Sequence, residues 1–191
     1  SNAVNTTFDL DELYQTIHGA LTPVIDVSNF FIALYDREKD VISFPFYQDD
    51  VDHDYDEIHE IETSGSLTAR VIRSAAPVLV SRREILAWAA EQGVPPVGSP
   101  AALWLGVPLK IKDTVIGVMA TQSYTQPDHF DTKDLEVFGA VSKQVAVAID
   151  RKRNEVVLHH SVQQYRMLAE NHRDVVVALS PSGALKYCSP A

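Results

Sequence analysis

Apolar positions recur at helical spacing from Leu10 through Leu13, Tyr14, Ile17 and Leu21 to Val24, which predicts an opening helix. Asp9, with Glu12 three residues on, has capping-box spacing with Asp as the cap, so the helix is expected to begin there. Pro23 and the polar residues 26–29 close it. Residues 29–35 and 41–47 are rich in aromatic and β-branched side chains and flank the polar turn 36–40, as a strand pair does. Pro45 has no N–H for a ladder, so the second strand is expected to be an edge or to bulge there.

Further along, Leu67, Val71 and Ile72 mark a short helix over residues 67–74, after Ser64, Gly65 and Ser66. Residues 77–80 read as a short strand. Ser81, with Glu84 three residues on, caps a helix that runs to Gly93. Residues 94–100 hold three prolines and a glycine and form a loop. Residues 101–111 and 114–123 form a hairpin across Lys112 and Asp113. Both strands are almost wholly apolar, so both faces of this part of the sheet are expected to be covered. Asp131, with Asp134 three residues on, starts a long helix whose stripe is Leu135, Phe138, Val141, Val145, Ala148 and Ile149. No breaker interrupts the polar residues 150–155, and the helix is expected to continue through Val156, Leu158, Val162, Tyr165 and Leu168 to about residue 171. Such a helix spans roughly 60 Å at about 1.5 Å per residue. A hairpin follows, with strands at 175–179 and 184–188 and a turn at 180–183.

The charge is uneven. Eight acids fall between Asp49 and Glu62 with no Lys or Arg among them, in a chain of net charge −10. Outside that stretch 18 acids face 16 bases. No basic stripe is present for a nucleic-acid partner, and the same lack disfavours an anionic membrane surface. No apolar run approaches the ~20 residues of a membrane-spanning helix. The one cysteine, Cys188, excludes an internal disulfide.

The order of helix, two strands, variable loop, short helices, strand pair and long helix resembles a GAF domain. The most specific match is Trp104-Leu105-Gly106-Val107-Pro108-Leu109, followed by residues 115–124. Residues 29–36 and the Phe130-x-x-x-Asp134-Leu135 pattern match further family positions. From Tyr165 on, Tyr165-Arg166-x-Leu168-x-Glu170-Asn171, with Asp174, Gly183 and Ser189-Pro190, resembles the start of a PAS domain. The implied fold is α+β: a central antiparallel sheet with helices on both faces, a long C-terminal connector helix and a partial PAS hairpin. The implied organisation is a tag remnant at 1–3, a GAF domain at 4–153, a connector at 154–171 and a truncated PAS start at 172–191.

Bilin-holding GAF domains use a cysteine thioether, and the GAF region here has none, so a covalent bilin is excluded and no cofactor is expected. Domains resembling free methionine-sulfoxide reductases need several cysteines. Cyclic-nucleotide GAF domains carry Asn-Lys and Phe-x-x-x-Asp-Glu, where this chain has Ser123-Tyr124 and Leu135. Asp50, Asp52, Asp54 and Asp56 alternate like the first calcium ligands of an EF-hand. The sixth-position glycine is replaced by Tyr55 or Glu57, and the twelfth-position Glu by Ile61 or Thr63. His53 and His59 fit no usual metal spacing, so no metal site is expected. His172-Arg173-Asp174 copies a kinase catalytic loop without its Asn, and His159-His160 lacks a phosphoacceptor context. No nucleophile, base and orienting group can be assembled, so an enzyme is not expected in these residues.

The resemblance implies a small-molecule site on the sheet face under the loops and short helices. By it, Phe44, Phe46, Trp88, Trp104, Thr121 and Tyr124 are candidates to line that site, with Asp50 and Thr68 as polar contacts. Core packing is the competing role for each aromatic. The apolar stripes of residues 10–24 and of the long helix suggest a parallel homodimer. The expected function is a cytoplasmic, non-catalytic sensory and dimerisation module of a bacterial signalling receptor, feeding a histidine kinase. A diguanylate cyclase output and an effector-binding module of a transcriptional regulator are the alternatives.

Overall fold

The structure, a computed structural model, describes the backbone of residues 2–170, 177–179 and 185–188 and the side chains of residues 10–165. The chain divides into two compact units, residues 1–150 and 151–191.

In the first unit six strands form one sheet in the order β3-β2-β1-β6-β5-β4, with every neighbouring pair antiparallel. The strands are β1 (Phe30–Asp36), β2 (Val41–Gln48), β3 (Ile58–His59), β4 (Val78–Ser81), β5 (Leu103–Ile111) and β6 (Thr114–Ser123). The helices are α1 (Asn2–Leu21), α2 (Leu67–Ser74), α3 (Arg82–Gln92) and α4 (Thr132–Glu170), the last of which runs on into the second unit. α1 begins seven residues before the expected start, so Asp9 lies inside the helix and is not its cap. Residues 2–8 contain no Pro or Gly to stop a helix from extending backwards.

Side chains alternate across the pleat and build two cores. Phe30, Ile32, Leu34, Leu105, Val107 and Met119 face one way, against Tyr14, Ile17 and Leu21 of α1 and Phe138, Val145 and Ile149 of α4. Phe138 meets Phe30 edge-on at 6.3 Å. Phe31, Ala33, Trp104, Val118 and Ala120 face the other way, against Ala69, Val71 and Ile72 of α2 and Ile85 of α3. β5 and β6 are thus covered on both faces, as their almost wholly apolar sequences predict.

The bulge expected at Pro45 is present. Ile32 pairs with Phe46 and Leu34 pairs with Ser43, so Ala33 alone stands opposite Phe44 and Pro45. The extra residue absorbs the missing N–H and reverses the alternation of side chains along β2. α4 is capped as its sequence predicts. Asp131 Oδ1 accepts from the N–H of Lys133 at 2.7 Å and of Asp134 at 3.1 Å, while the Asp134 carboxylate accepts from the N–H of Asp131 at 2.8 Å. α3 carries the expected box between Ser81 and Glu84.

In the second unit α4 continues to Glu170 with Val157, Leu158 and Tyr165 exposed. β7 (Val177–Leu179) pairs antiparallel with β8 (Leu185–Cys188). The turn expected at 180–183, together with Asn171, Asp174, Ser189 and Pro190, lies outside the described residues.

Candidate functional site

The Phe31–Trp104 face of the sheet is not fully filled by α2 and α3. A cavity of about 460 Å³ remains beneath the acidic stretch. Its floor is Phe31 of β1, Phe44 of β2, Trp104 of β5 and Gln122 of β6. Ser66, Leu67 and Thr68 at the start of α2, with Ile85 and Ala89 of α3, form a wall. The mouth lies between residues 52–59 and the proline-rich loop 96–101.

Each part of this frame has a local cause. Ser66 Oγ accepts from the N–H groups of Thr68 and Ala69 at 3.1 and 3.5 Å, which fixes the first turn of α2 at the cavity wall. Gly65 lies so close to Val94 that a side chain there would collide with it, which lets the loop after α3 pack against the start of α2. Arg73 donates to the carbonyls of Ile61, Glu62 and Ser64 and ties the end of the acidic stretch to α2.

Asp49 is the anchor of the acidic stretch. Its carboxylate accepts from Gln122 Nε2 at 2.7 Å, from the phenols of Tyr55 and Tyr124 at 2.9 Å each, and from the N–H groups of Val51 and Asp52 at 2.9 Å each. Burial works to raise this carboxyl. The backbone donors, with Gln122 and Tyr55, outweigh it and hold the group below the usual carboxylate range. Burial and the Asp49 charge push both phenols far up, so each stays a neutral donor. Asp52 joins the two sides of the mouth by accepting from Ser99 N–H at 2.9 Å and Ser99 Oγ at 2.7 Å. Gly98, with φ of +73°, occupies the left-handed region beside that junction.

The eight residues named from sequence separate into distinct places. Phe44, Thr68 and Trp104 line the cavity. Tyr124 sits in the Asp49 network beside it. Phe46 lies on the opposite face, with its ring 6.0 Å from Phe30, because the Pro45 bulge turns it away from Phe44. Thr121 faces the same way as Phe46, and its hydroxyl donates to the carbonyl of Asp26 at 2.8 Å. Trp88 lies outside the cavity, with the guanidinium groups of Arg70 and Arg73 over its ring at 5.6 and 5.9 Å. Asp50 is exposed, and Asp49 beside it makes the inward contacts.

Phe31, Asp49, Asp52, Tyr55 and Gln122 are the functional-site residues that sequence reasoning missed. Two carried a signal. Gln122 lies in the buried polar end of β6, between Thr121 and Ser123 and opposite Trp104 in the register, and a buried polar group is the informative kind. Tyr55 is the one aromatic within the acidic run. Among the described residues, no group of three or more His, Cys, Asp or Glu side chains is placed to hold a metal ion.

The chain is similar to several characterised proteins. It is 25% identical over 174 residues to the formate hydrogenlyase transcriptional activator FhlA of Escherichia coli (strain K12), covering 90% of this chain and 25% of that protein. It therefore spans about a quarter of that relative's length. The GAF domain of a two-component sensor histidine kinase from Bacillus halodurans superposes with a TM-score of 0.58 at 15% identity, over 76% of this chain and 97% of that one. Free methionine-R-sulfoxide reductase from Neisseria meningitidis superposes with a TM-score of 0.56 at 17% identity, over 72% and 75% of the two chains. At these identities the structural likenesses show a shared fold. The family model for the GAF domain matches residues 8–150, three quarters of the chain. The chain belongs to the GAF domain family.

Proposed function

We propose that this chain is a non-catalytic sensory module of a cytoplasmic signalling protein, binding a small molecule in the cavity above Trp104. The observation that carries the reading is the cavity itself. It is large enough for a metabolite, floored by aromatic side chains, and roofed by a segment that two carboxylates, Asp49 and Asp52, pin in place. A single cysteine, outside the cavity lining, argues against the thiol chemistry of the reductases that share the fold.

The output we favour is a histidine kinase, reached through α4 as connector and through a homodimer formed by α1 and α4. The GAF domain of a sensor kinase supports it by fold. A transcriptional regulator is the second reading, supported by the match to FhlA over 174 residues. In either case residues 172–191 would open a PAS domain.

A thermal-shift screen of amines, amino acids, nucleobases and carboxylates tests the binding reading, with calorimetry on hits. A true ligand at about 100 times its Kd stabilises the fold by about 2.7 kcal/mol. The reading expects at least one such compound, with affinity lost in Trp104→Phe. A panel with no stabilising compound, or hits that bind Trp104→Phe unchanged, would contradict it.

A further inference from the structure

The chemical class of ligand can be narrowed, on the reading that the cavity is the binding site. Phe31, Phe44, Tyr55 and Trp104 line it, and their rings lie in one contiguous group. Phe31 is 5.4 Å from Phe44, 5.4 Å from Tyr55 and 6.5 Å from Trp104. Aromatic π-systems attract cations. Asp54, Asp56 and Glu57 stand at the mouth, along with Asp52, whose carboxylate is engaged by Ser99. Among the described residues lining the cavity, none is Lys or Arg.

The polar group on the floor has the same preference. The amide nitrogen of Gln122 is committed to Asp49 at 2.7 Å and to the Tyr124 phenol at 2.7 Å. That fixes the amide orientation and leaves the carbonyl oxygen as its accepting end. Two features carry the opposite sign. The start of α2 presents about half a positive charge, but its Thr68 and Ala69 N–H groups already donate to Ser66 Oγ. His59 is exposed at the mouth and lies 3.9 Å from Glu57. Neither offsets the carboxylates.

We infer that the cavity selects a small organic cation, an amine or quaternary ammonium compound, and turns away carboxylates and phosphates. The aromatic floor supplies the contact surface. The acidic mouth raises the local concentration of cations and penalises anions, an effect that salt screens beyond about 8 Å at physiological ionic strength.

Three probes of nearly one shape and different charge test this: choline, neutral 3,3-dimethylbutan-1-ol and anionic 3,3-dimethylbutanoate. Each is titrated at millimolar concentration while the Trp104 indole resonance is followed by NMR. The inference expects choline to bind at least tenfold more tightly than the alcohol, with the anion weakest. It also expects that preference to fall severalfold in an Asp54→Asn/Asp56→Asn variant and at high salt. Both aspartates are exposed, so the variant is expected to fold. Equal binding of choline and the alcohol, or tighter binding of the anion, would overturn the inference and leave the cavity as the binding site. If no probe moves Trp104 while a neutral or anionic compound from the thermal-shift panel does, the inference fails and the site stands; if only amines from that panel move it, the inference holds. If neither moves it, both fail.

Discussion

The indole of Trp104 lies across Gly106, so close that a Cβ on residue 106 would overlap its six-membered ring. The two residues are separated by one position and so share a face of β5. With no side chain at 106, the indole can lie down along the strand and become the cavity floor. The Trp-Leu-Gly run therefore has a packing cause: the glycine makes room for the tryptophan, and the tryptophan shapes the site.

Gly106→Ala is expected to cost about 1–3 kcal/mol, the usual penalty for overpacking a filled core. Urea unfolding reads the cost directly. Tryptophan emission should also shift, because the indole must leave its place. A variant with wild-type stability and emission would show that Trp104 does not depend on this glycine.

The Pro45 bulge separates the consequences of two neighbouring aromatics. Phe46→Ala opens a hole against Phe30 and His18 on the α1 and α4 side, and is expected to cost about 3 kcal/mol while leaving cavity affinity unchanged. Phe44→Ala removes part of the cavity floor, and is expected to weaken binding of any cavity ligand with a smaller loss of stability, since Phe44 is only half-buried. Paired unfolding and binding measurements on the two variants check this. The reverse pattern would place the bulge elsewhere.

Asp49 makes stability depend on pH. Its carboxyl is held below its unfolded value of about 3.9, so the anion contributes stability that is complete above that value. The contribution is lost as pH falls through the folded value. Asp49→Asn is expected to cost about 1.5–3 kcal/mol near neutrality, the range for hydrogen bonds to a charged group. The gap between wild type and variant in urea midpoint should stay level from about pH 5 to 8 and close below about pH 4. A gap that does not change with pH would mean that Asp49 is not the anion the network is built around.

Ser66 ties a helix cap to the cavity wall. Ser66→Ala is expected to cost about 1 kcal/mol, the typical value of a lost N-cap. Replacement by Asp or Thr should restore most of it. Thermal unfolding of the three variants tests the order.

Much of the fold was legible because its signals are local. The cap residues Asp131, Ser81 and Glu84, and the apolar runs of β5 and β6, each fix an element without reference to distant parts of the chain. The start of α1 is not legible, because Asp9 has the right chemistry for a cap while no Pro or Gly before it stops the helix from running back to Asn2. The site was less legible. Phe44 and Phe46 look equivalent at period two, and only the two-against-one pairing opposite Ala33 shows that they part. Asp50 and Asp49 are both acids at the head of one run. What decides between them is the position of Gln122 and Tyr124, more than 70 residues away. Long-range pairings of this kind leave no trace in local pattern.

The most direct test of the central claim uses the fact that the chain has two tryptophans, one in the cavity and one outside it. Their indole N–H groups give two resonances in a proton–nitrogen NMR spectrum, which Trp88→Phe assigns. On titration with a ligand identified by thermal shift, the account predicts that the Trp104 resonance moves in step with binding while that of Trp88 stays in place. Movement of Trp88 alone, or saturable binding with neither resonance moving, would contradict a ligand site above Trp104.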